Sequence, residues 1–289
     1  MAFLFLQAQG RRVEQHKAKK HFGQNFLHDS SYLQRIVQSI PTLPIQCVEI
    51  GVGLGDLTQE LLKIESLIAY EVDLDLCSLL DTKFSTQMQS GRLLIRYEDI
   101  LDRPSQQAWL HTHAYKVVSN LPYYIATHII MRLLRDRHCH ALLVMTQREV
   151  AQKFCASSGQ SEFCALSVIA QSVGRAELLF DVPPHAFSPA PKVTSSVFVI
   201  HKYPPHTLLW QEDFSLCDLE SFVKLAFCAP RKRLFKNLAQ GYDTRLLSEI
   251  FEALQLPSTI RAHEVETESF HQILKLLTKD KPWKNKTSQ

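Results

Sequence analysis

Cys47-Val48-Glu49-Ile50-Gly51-Val52-Gly53-Leu54-Gly55-Asp56 is an apolar run that breaks into three glycines within five residues and leads directly into a helical pattern over 56–64. The chain holds only nine glycines, so this cluster is a local requirement rather than a compositional habit. Glycine lets the backbone turn tightly off a strand and lets a ligand approach without a Cβ in the way. A buried strand, a glycine turn and a helix form the opening unit of an α/β fold. The loop alone serves a dinucleotide, another nucleoside or no ligand at all.

Outward from this unit the same beat repeats. Short apolar runs at Leu67–Tyr70, Leu93–Tyr97, Tyr115–Val118 and Ala141–Met145 read as further buried strands. Helical patterns lie around 74–84, 125–135 and 147–155. Upstream, Asp29-Ser30 is an N-cap signal for a helix that Pro41 ends. That cadence predicts a parallel sheet covered on both faces. Ala176–Val182 and Ser195–His201, joined by the proline-rich 183–191 link, suit a hairpin at the sheet's edge. After Tyr203-Pro204-Pro205 only helical periodicity remains, over 217–228, 231–240, 243–255 and 267–278. The expected organisation is a basic arm over 1–20, an α/β domain over 21–205 and a small all-helical C-terminal domain over 206–289.

Bulk properties bound the function more loosely. The chain has 289 residues, 45% hydrophobic and 21% charged, with a formal net charge of +3, ordinary values for a soluble globular protein. Its cations are grouped: Arg11, Arg12, Lys17, Lys19 and Lys20 near the start, Arg231, Lys232, Arg233 and Lys236 in a second knot, and four lysines between Lys279 and Lys286. A charge run is by default a solvated face. Seven cysteines stand singly, with neither C-x-x-C pairs nor zinc spacing, which fits reduced thiols in the cytoplasm and no metal site. The apolar Ala2–Leu6 is too short for a signal segment, and no apolar run reaches membrane-spanning length.

Three strand ends carry acids. Glu49 ends the first run, Glu71 follows the second, twenty positions beyond Gly51, and Asp99 follows the third. Glu71 suits a grip on a ribose diol, and Asp99 can accept from an adenine amino group. Asp56 stands where the dinucleotide fingerprint wants its third glycine. Together these features favour a nucleoside cofactor other than NAD.

The fourth run ends in Asn120-Leu121-Pro122-Tyr123. The N6 amine of adenine is a poor nucleophile because its lone pair is delocalised into the ring. Two acceptors favour a more pyramidal amine: the Asn120 amide oxygen and a main-chain carbonyl, that of Leu121. Pro122 stiffens the turn and biases Leu121 toward extended backbone. Tyr123 offers a face on which an extruded base can stack. Alone, such a tetrad is also an ordinary strand-ending turn.

These segments, with Lys20-His21-Phe22-Gly23-Gln24-Asn25-Phe26-Leu27, Gln147-Arg148-Glu149-Val150, Phe187-Ser188-Pro189-Ala190-Pro191-Lys192-Val193 and Ala226-Phe227 before Arg231-Lys232-Arg233, resemble the KsgA-type ribosomal RNA adenine N6-dimethyltransferases, relatives of the Erm methyltransferases. The likeness runs from about Lys19 to the last helix. It implies a class I (Rossmann-like) methyltransferase fold: a seven-stranded, mostly parallel sheet with a helical C-terminal domain that helps hold RNA. It implies S-adenosylmethionine as cofactor, with Asn25 and Leu27 over its methionine end, Gly51 along its backbone, Glu71 on its ribose and Asp99 on its adenine. Asn120 would join cofactor and target amine, and Phe187 would stack on the base opposite Tyr123. The implied substrate is a pair of adjacent adenosines in the 3′-terminal hairpin of small-subunit rRNA, each dimethylated within a nearly assembled subunit by a monomer. Arg231, Lys232, Arg233, Lys236 and the Lys17–Lys20 arm are expected on phosphates. An Erm-like enzyme acting on large-subunit rRNA, a non-catalytic assembly factor and an NAD oxidoreductase are the alternatives. Val52 for the usual proline, Tyr124 for a frequent asparagine and Phe163-Cys164-Ala165 for a stretch usually ending in arginine depart from the family pattern.

Overall fold

The computed structural model describes residue 19, residues 24–104 and residues 108–279. Most of the expected basic arm, His21–Gly23 of the opening motif, and the lysines beyond 279 lie outside the described residues.

Seven strands form one sheet: β2 (Gln46–Ile50), β3 (Leu67–Glu71), β4 (Leu93–Tyr97), β5 (Tyr115–Asn120), β6 (Cys139–Gln147), β7 (Gly174–Val182) and β9 (Ser195–Lys202), in the spatial order β4-β3-β2-β5-β6-β9-β7. The first five in that order are mutually parallel. β9 runs antiparallel to both β6 and β7, so the predicted hairpin is present, with its second strand inserted beside β6 and β7 at the edge. Burial follows position. β2 and β5 are buried along nearly their whole length, whereas edge strand β4 alternates and exposes Leu94 and Arg96.

Chain order reverses between β2 and β5, and a ligand crevice opens outside the carboxyl ends of strands at such a switch point. The glycine loop leaves β2 there, and the Asn120 tetrad leaves β5.

One face of the sheet is covered by α1 (Ser30–Gln38), α2 (Asp56–Leu61), α3 (Cys77–Lys83) and α4 (Ser85–Gln89). Leu33, Ile36, Leu57, Leu61, Leu80 and Phe84 bury against Ala69, Val118 and Leu143. Asp29 caps α1 as expected, accepting from the Ser31 amide at 2.9 Å. The other face carries α5 (Ala126–Arg135), α6 (Arg148–Cys155) and α7 (Ala165–Val173). The C-terminal helices α8 (Leu216–Ala226), α9 (Leu234–Leu238), α10 (Thr244–Ala253) and α11 (Thr267–Lys279) continue this second core, with Val168, Phe222, Val223, Phe270 and Ile273 in one buried cluster.

Three features differ from the sequence reading. Helix α7 carries no clear amphipathic stripe, because Ser167–Ala170, Ser172 and Val173 are all buried between the sheet and the C-terminal helices. A helix buried all round loses the periodicity that would reveal it. The second basic knot does not open a helix: Arg231–Arg233 occupy the preceding turn, and α9 starts only at Leu234, whose amide donates to Ile260. A two-stranded antiparallel sheet joins β1 (Phe26–Leu27) to β8 (Phe187–Ser188), pairing Leu27 with Phe187 across most of the chain.

Candidate active site

The crevice at the switch point is lined by Gln24–Leu27, the 49–54 glycine loop, Glu71, Val72, Asp99, Ile100 and the 120–125 tetrad segment.

The loop is built from left-handed turns: Gly51, Gly53 and Gly55 have φ of +78°, +59° and +81°. A Cβ on Gly51 would sit 3.8 Å from Cδ of Pro122, so the loop and the tetrad are in van der Waals reach. A Cβ on Gly53 would lie 2.9 Å from the Phe26 ring. Val52 is buried beneath the turn, and its carbonyl accepts from the Gly55 amide at 3.0 Å, so the turn closes without proline.

The acids are not equivalent. Glu71 is buried, its two carboxylate oxygens accepting the amides of Gly53 and Asp73 at 2.8 Å each. Burial raises its pKa, against the lowering by those two amides. It therefore splints the glycine loop to the end of β3, and a carboxylate oxygen has a second lone pair beyond the one such an amide uses. Asp99 accepts from the Leu101 amide at 2.8 Å and stands beside Ile100 on the wall. Glu49, a wall residue given no ligand role from the sequence, is fully buried; burial pushes its carboxyl up to about 8, and Thr58 donates to it at 2.6 Å.

In the tetrad, Nδ2 of Asn120 donates to the Asn25 carbonyl at 3.3 Å, which turns Oδ1 to the other side. The Leu121 amide donates to Met145, while among the described residues the Leu121 carbonyl accepts no hydrogen bond. Two acceptors with no partner among the described residues thus stand on adjacent residues, Leu121 itself being buried. Tyr123 is half-buried, and its hydroxyl meets Oγ of Ser195 at 2.5 Å. Tyr124 is 60% exposed at the mouth.

The glycine loop, the strand-end acids, Asn25, Leu27 and the tetrad therefore converge. Phe187 does not: it is 3% exposed on β8 and packs into the core opposite Leu27, outside the crevice. Lys19 is paired within the chain, bonded to Asp73 and Asp75 at 2.5 Å each. Gln24, Phe26, Val72 and Ile100 line the crevice without having been given a role from the sequence. Val72 and Ile100 each follow a strand-end acid, a pairing visible in sequence.

Residues 15–279 match the family model described as ribosomal RNA adenine dimethylase. The chain belongs to that family. It is 71% identical over 267 residues to the ribosomal RNA small subunit methyltransferase A of Helicobacter hepaticus, covering 92% of this chain and 94% of that protein. It is 47% identical to the protein of the same name from Sulfurimonas denitrificans, covering 91% and 95%. Among solved structures, the dimethyladenosine transferase from Plasmodium falciparum superposes with a TM-score of 0.70 at 18% identity, covering 86% of this chain and 95% of that one. The 23S rRNA methyltransferase ErmE superposes at 0.66 and 22% identity, covering 88% and 99%. Both share the fold.

As a ribosomal RNA adenine dimethylase the chain is an S-adenosylmethionine-dependent methyltransferase whose substrate is rRNA. The crevice fits that cofactor: paired carboxylates at two strand ends suit a ribose and an adenine, apolar Val72 and Ile100 flank them, and the glycines leave a cradle free of Cβ atoms. Arg231, Lys232, Arg233 and Lys236 are exposed, and among the described residues none of them forms an ion pair. Asn237, fully buried, holds their turn by donating to the carbonyls of Ala226 and Ala229 at 2.7 and 3.1 Å. Among the described residues no helix is long and apolar enough to cross a membrane.

Proposed function

We propose that this protein dimethylates the N6 amines of two adjacent adenosines in the 3′-terminal hairpin of small-subunit (16S) rRNA. It acts in the cytoplasm, as a monomer, on a nearly assembled small subunit. The observation that carries the chemistry is the pair of acceptors without a partner among the described residues, Oδ1 of Asn120 and the carbonyl of Leu121, on the strand end that abuts the glycine loop. When bound, S-adenosylmethionine supplies a methyl group activated by its sulfonium.

The chain's own residues do the rest. Glu71 holds the ribose and Asp99 the adenine of the cofactor; Gly51, Asn25 and Leu27 enclose its methionine end. In the first transfer Asn120 and Leu121 accept the two N6 hydrogens of the target, and in the second one of them accepts the single hydrogen that remains; this draws the amine toward a pyramidal geometry and aims its lone pair. Pro122 holds the Leu121 carbonyl in place, and Tyr123 stacks on the extruded ring. Rate comes chiefly from holding the amine roughly 3–3.5 Å from the methyl carbon, in line for displacement. The methylated amine is acidic enough to release its proton to water, so no strong base is required. Residues 206–279 form the RNA-holding part, with Arg231, Lys232, Arg233 and Lys236 on phosphates. The small-subunit address is supported by the Leu121-containing tetrad and by the names of the relatives at 71% and 47% identity.

Mass spectrometry of small-subunit rRNA from cells with and without the gene tests this reading. Two adjacent dimethyladenosines that vanish with the gene are expected. Modification of large-subunit rRNA instead, or no change in either RNA, would overturn it.

A further inference from the structure

The hydrogen bond between the Tyr123 hydroxyl and Oγ of Ser195 joins two residues that are far apart in sequence. Ser195 is fully buried at the first position of β9, and among the described residues its hydroxyl has this single hydrogen-bond partner. Stacking on a base uses only the face of an aromatic ring, so phenylalanine would serve as a platform equally well. A phenol is needed only if the ring must be held. Tyr123 follows a proline turn and precedes α5, so its backbone is fixed while its side-chain torsions are not. The bond to a buried strand residue fixes them.

The strand that provides the anchor is itself held on both sides. β9 pairs with two neighbours, Ser195 lying opposite Gln147 on β6 and Val182 on β7. The adjacent Ser196 donates to Asp181 at 2.6 Å, and Asp181 pairs with Arg148 at 3.4 Å. The anchor therefore belongs to the sheet and not to the side chains of the crevice mouth.

We propose that Ser195 is a positioning residue for methyl transfer: it locks the Tyr123 ring in the orientation that receives the target adenine. This rests on the reading of Tyr123 as the stacking platform. Ser195 is buried and does not line the crevice, so its removal acts on the turnover step and leaves cofactor affinity alone.

The test uses the full chain and small subunits lacking the modification, with Ser195→Ala, Tyr123→Phe, the double variant and Tyr123→Ala. Methyl-transfer rates are followed alongside calorimetric titration with S-adenosylmethionine. Both conservative single variants should lower kcat by roughly three- to tenfold, the size of one neutral hydrogen bond, with unchanged cofactor Kd. The double variant should lose no more than either single one, because both remove the same bond. Additive losses, or an unchanged kcat with only a lowered Tm, would overturn the proposal. Tyr123→Phe removes the bond without cutting into the core, so the outcome does not depend on how Ser195→Ala folds. A fully active Tyr123→Ala would instead defeat the platform reading itself.

Discussion

Asn120 donates its side-chain amide to the backbone carbonyl of Asn25, 95 residues away, and among the described residues its amide oxygen accepts no hydrogen bond. One residue thus links the N-terminal segment to the end of β5. The bond decides which end of a nearly symmetric side chain faces Asn25.

That orientation makes the two simplest substitutions informative. Asn120→Ala removes the acceptor, and methyl transfer should fall by about 100-fold or more, as misplacement at a reacting centre does. Asn120→Asp keeps an acceptor but sets a carboxylate oxygen against the Asn25 carbonyl, so it should fail to restore activity. Transfer of labelled methyl to unmodified small subunits measures both. An active Asn120→Asp enzyme would show that the bond to Asn25 does not orient the group.

Gly53 bears on cofactor affinity. Its φ of +59° disfavours a side chain, and an added Cβ would strike the Phe26 ring at 2.9 Å. Left-handed backbone alone costs roughly 1–2 kcal/mol for a residue with a Cβ. Gly53→Ala should therefore weaken S-adenosylmethionine binding by at least roughly fivefold, read by calorimetry, because the Gly53 amide also bonds Glu71. Unchanged affinity would mean that the loop and the Phe26 segment yield freely.

The buried Glu49 makes stability depend on pH. Burial pushes its carboxyl up to about 8 from an ordinary 4.5, with the Thr58 hydroxyl opposing. Between about pH 5 and 8 the folded chain keeps a proton that the unfolded chain releases, so this group's contribution is full below the lower value and is lost as pH rises through the upper one. Its slope is at most about 1.4 kcal/mol per pH unit. Glu49→Gln keeps an acceptor for Thr58 and removes the titration. Urea unfolding at pH 5, 6.5 and 8 should show a flatter profile in the variant; parallel profiles would place the titration elsewhere.

The exposed turn before α9 carries the proposed phosphate contacts. Replacing Arg231, Lys232 and Arg233 with glutamine should leave Tm within about 1 °C, since surface changes away from the core cost little. Binding to rRNA should weaken, and the slope of log K against log salt should shrink by roughly 0.7–0.9 for each phosphate no longer neutralised. An unchanged slope would return the cluster to an ordinary solvated face.

Much of this protein is legible in its sequence, for physical reasons. A strand buried on both faces must be an apolar run, and a tight turn under a ligand must be glycine, so Cys47–Gly55 and its repeats fix the α/β order. Glu49, Glu71, Asp99 and Asn120 sit at strand ends, and a parallel sheet brings all its carboxyl ends to one edge. Local pattern plus one topological rule therefore implies the site. Helix α7 is hidden because burial on all sides erases its periodicity, and the Arg231–Arg233 turn resembles helix because its cations continue the polar pattern.

What the tertiary structure alone decided concerns pairs distant in the chain. The Leu27–Phe187 pairing, which draws Phe187 into the core, depends on where two segments 160 positions apart meet. So do the Lys19–Asp73 ion pair, the direction of the Asn120 amide and the Ser195 hydroxyl under Tyr123. Sequence sets which backbone each residue can adopt and which face it buries. A meeting of surfaces folded separately leaves no periodic trace, and only the closed fold specifies it.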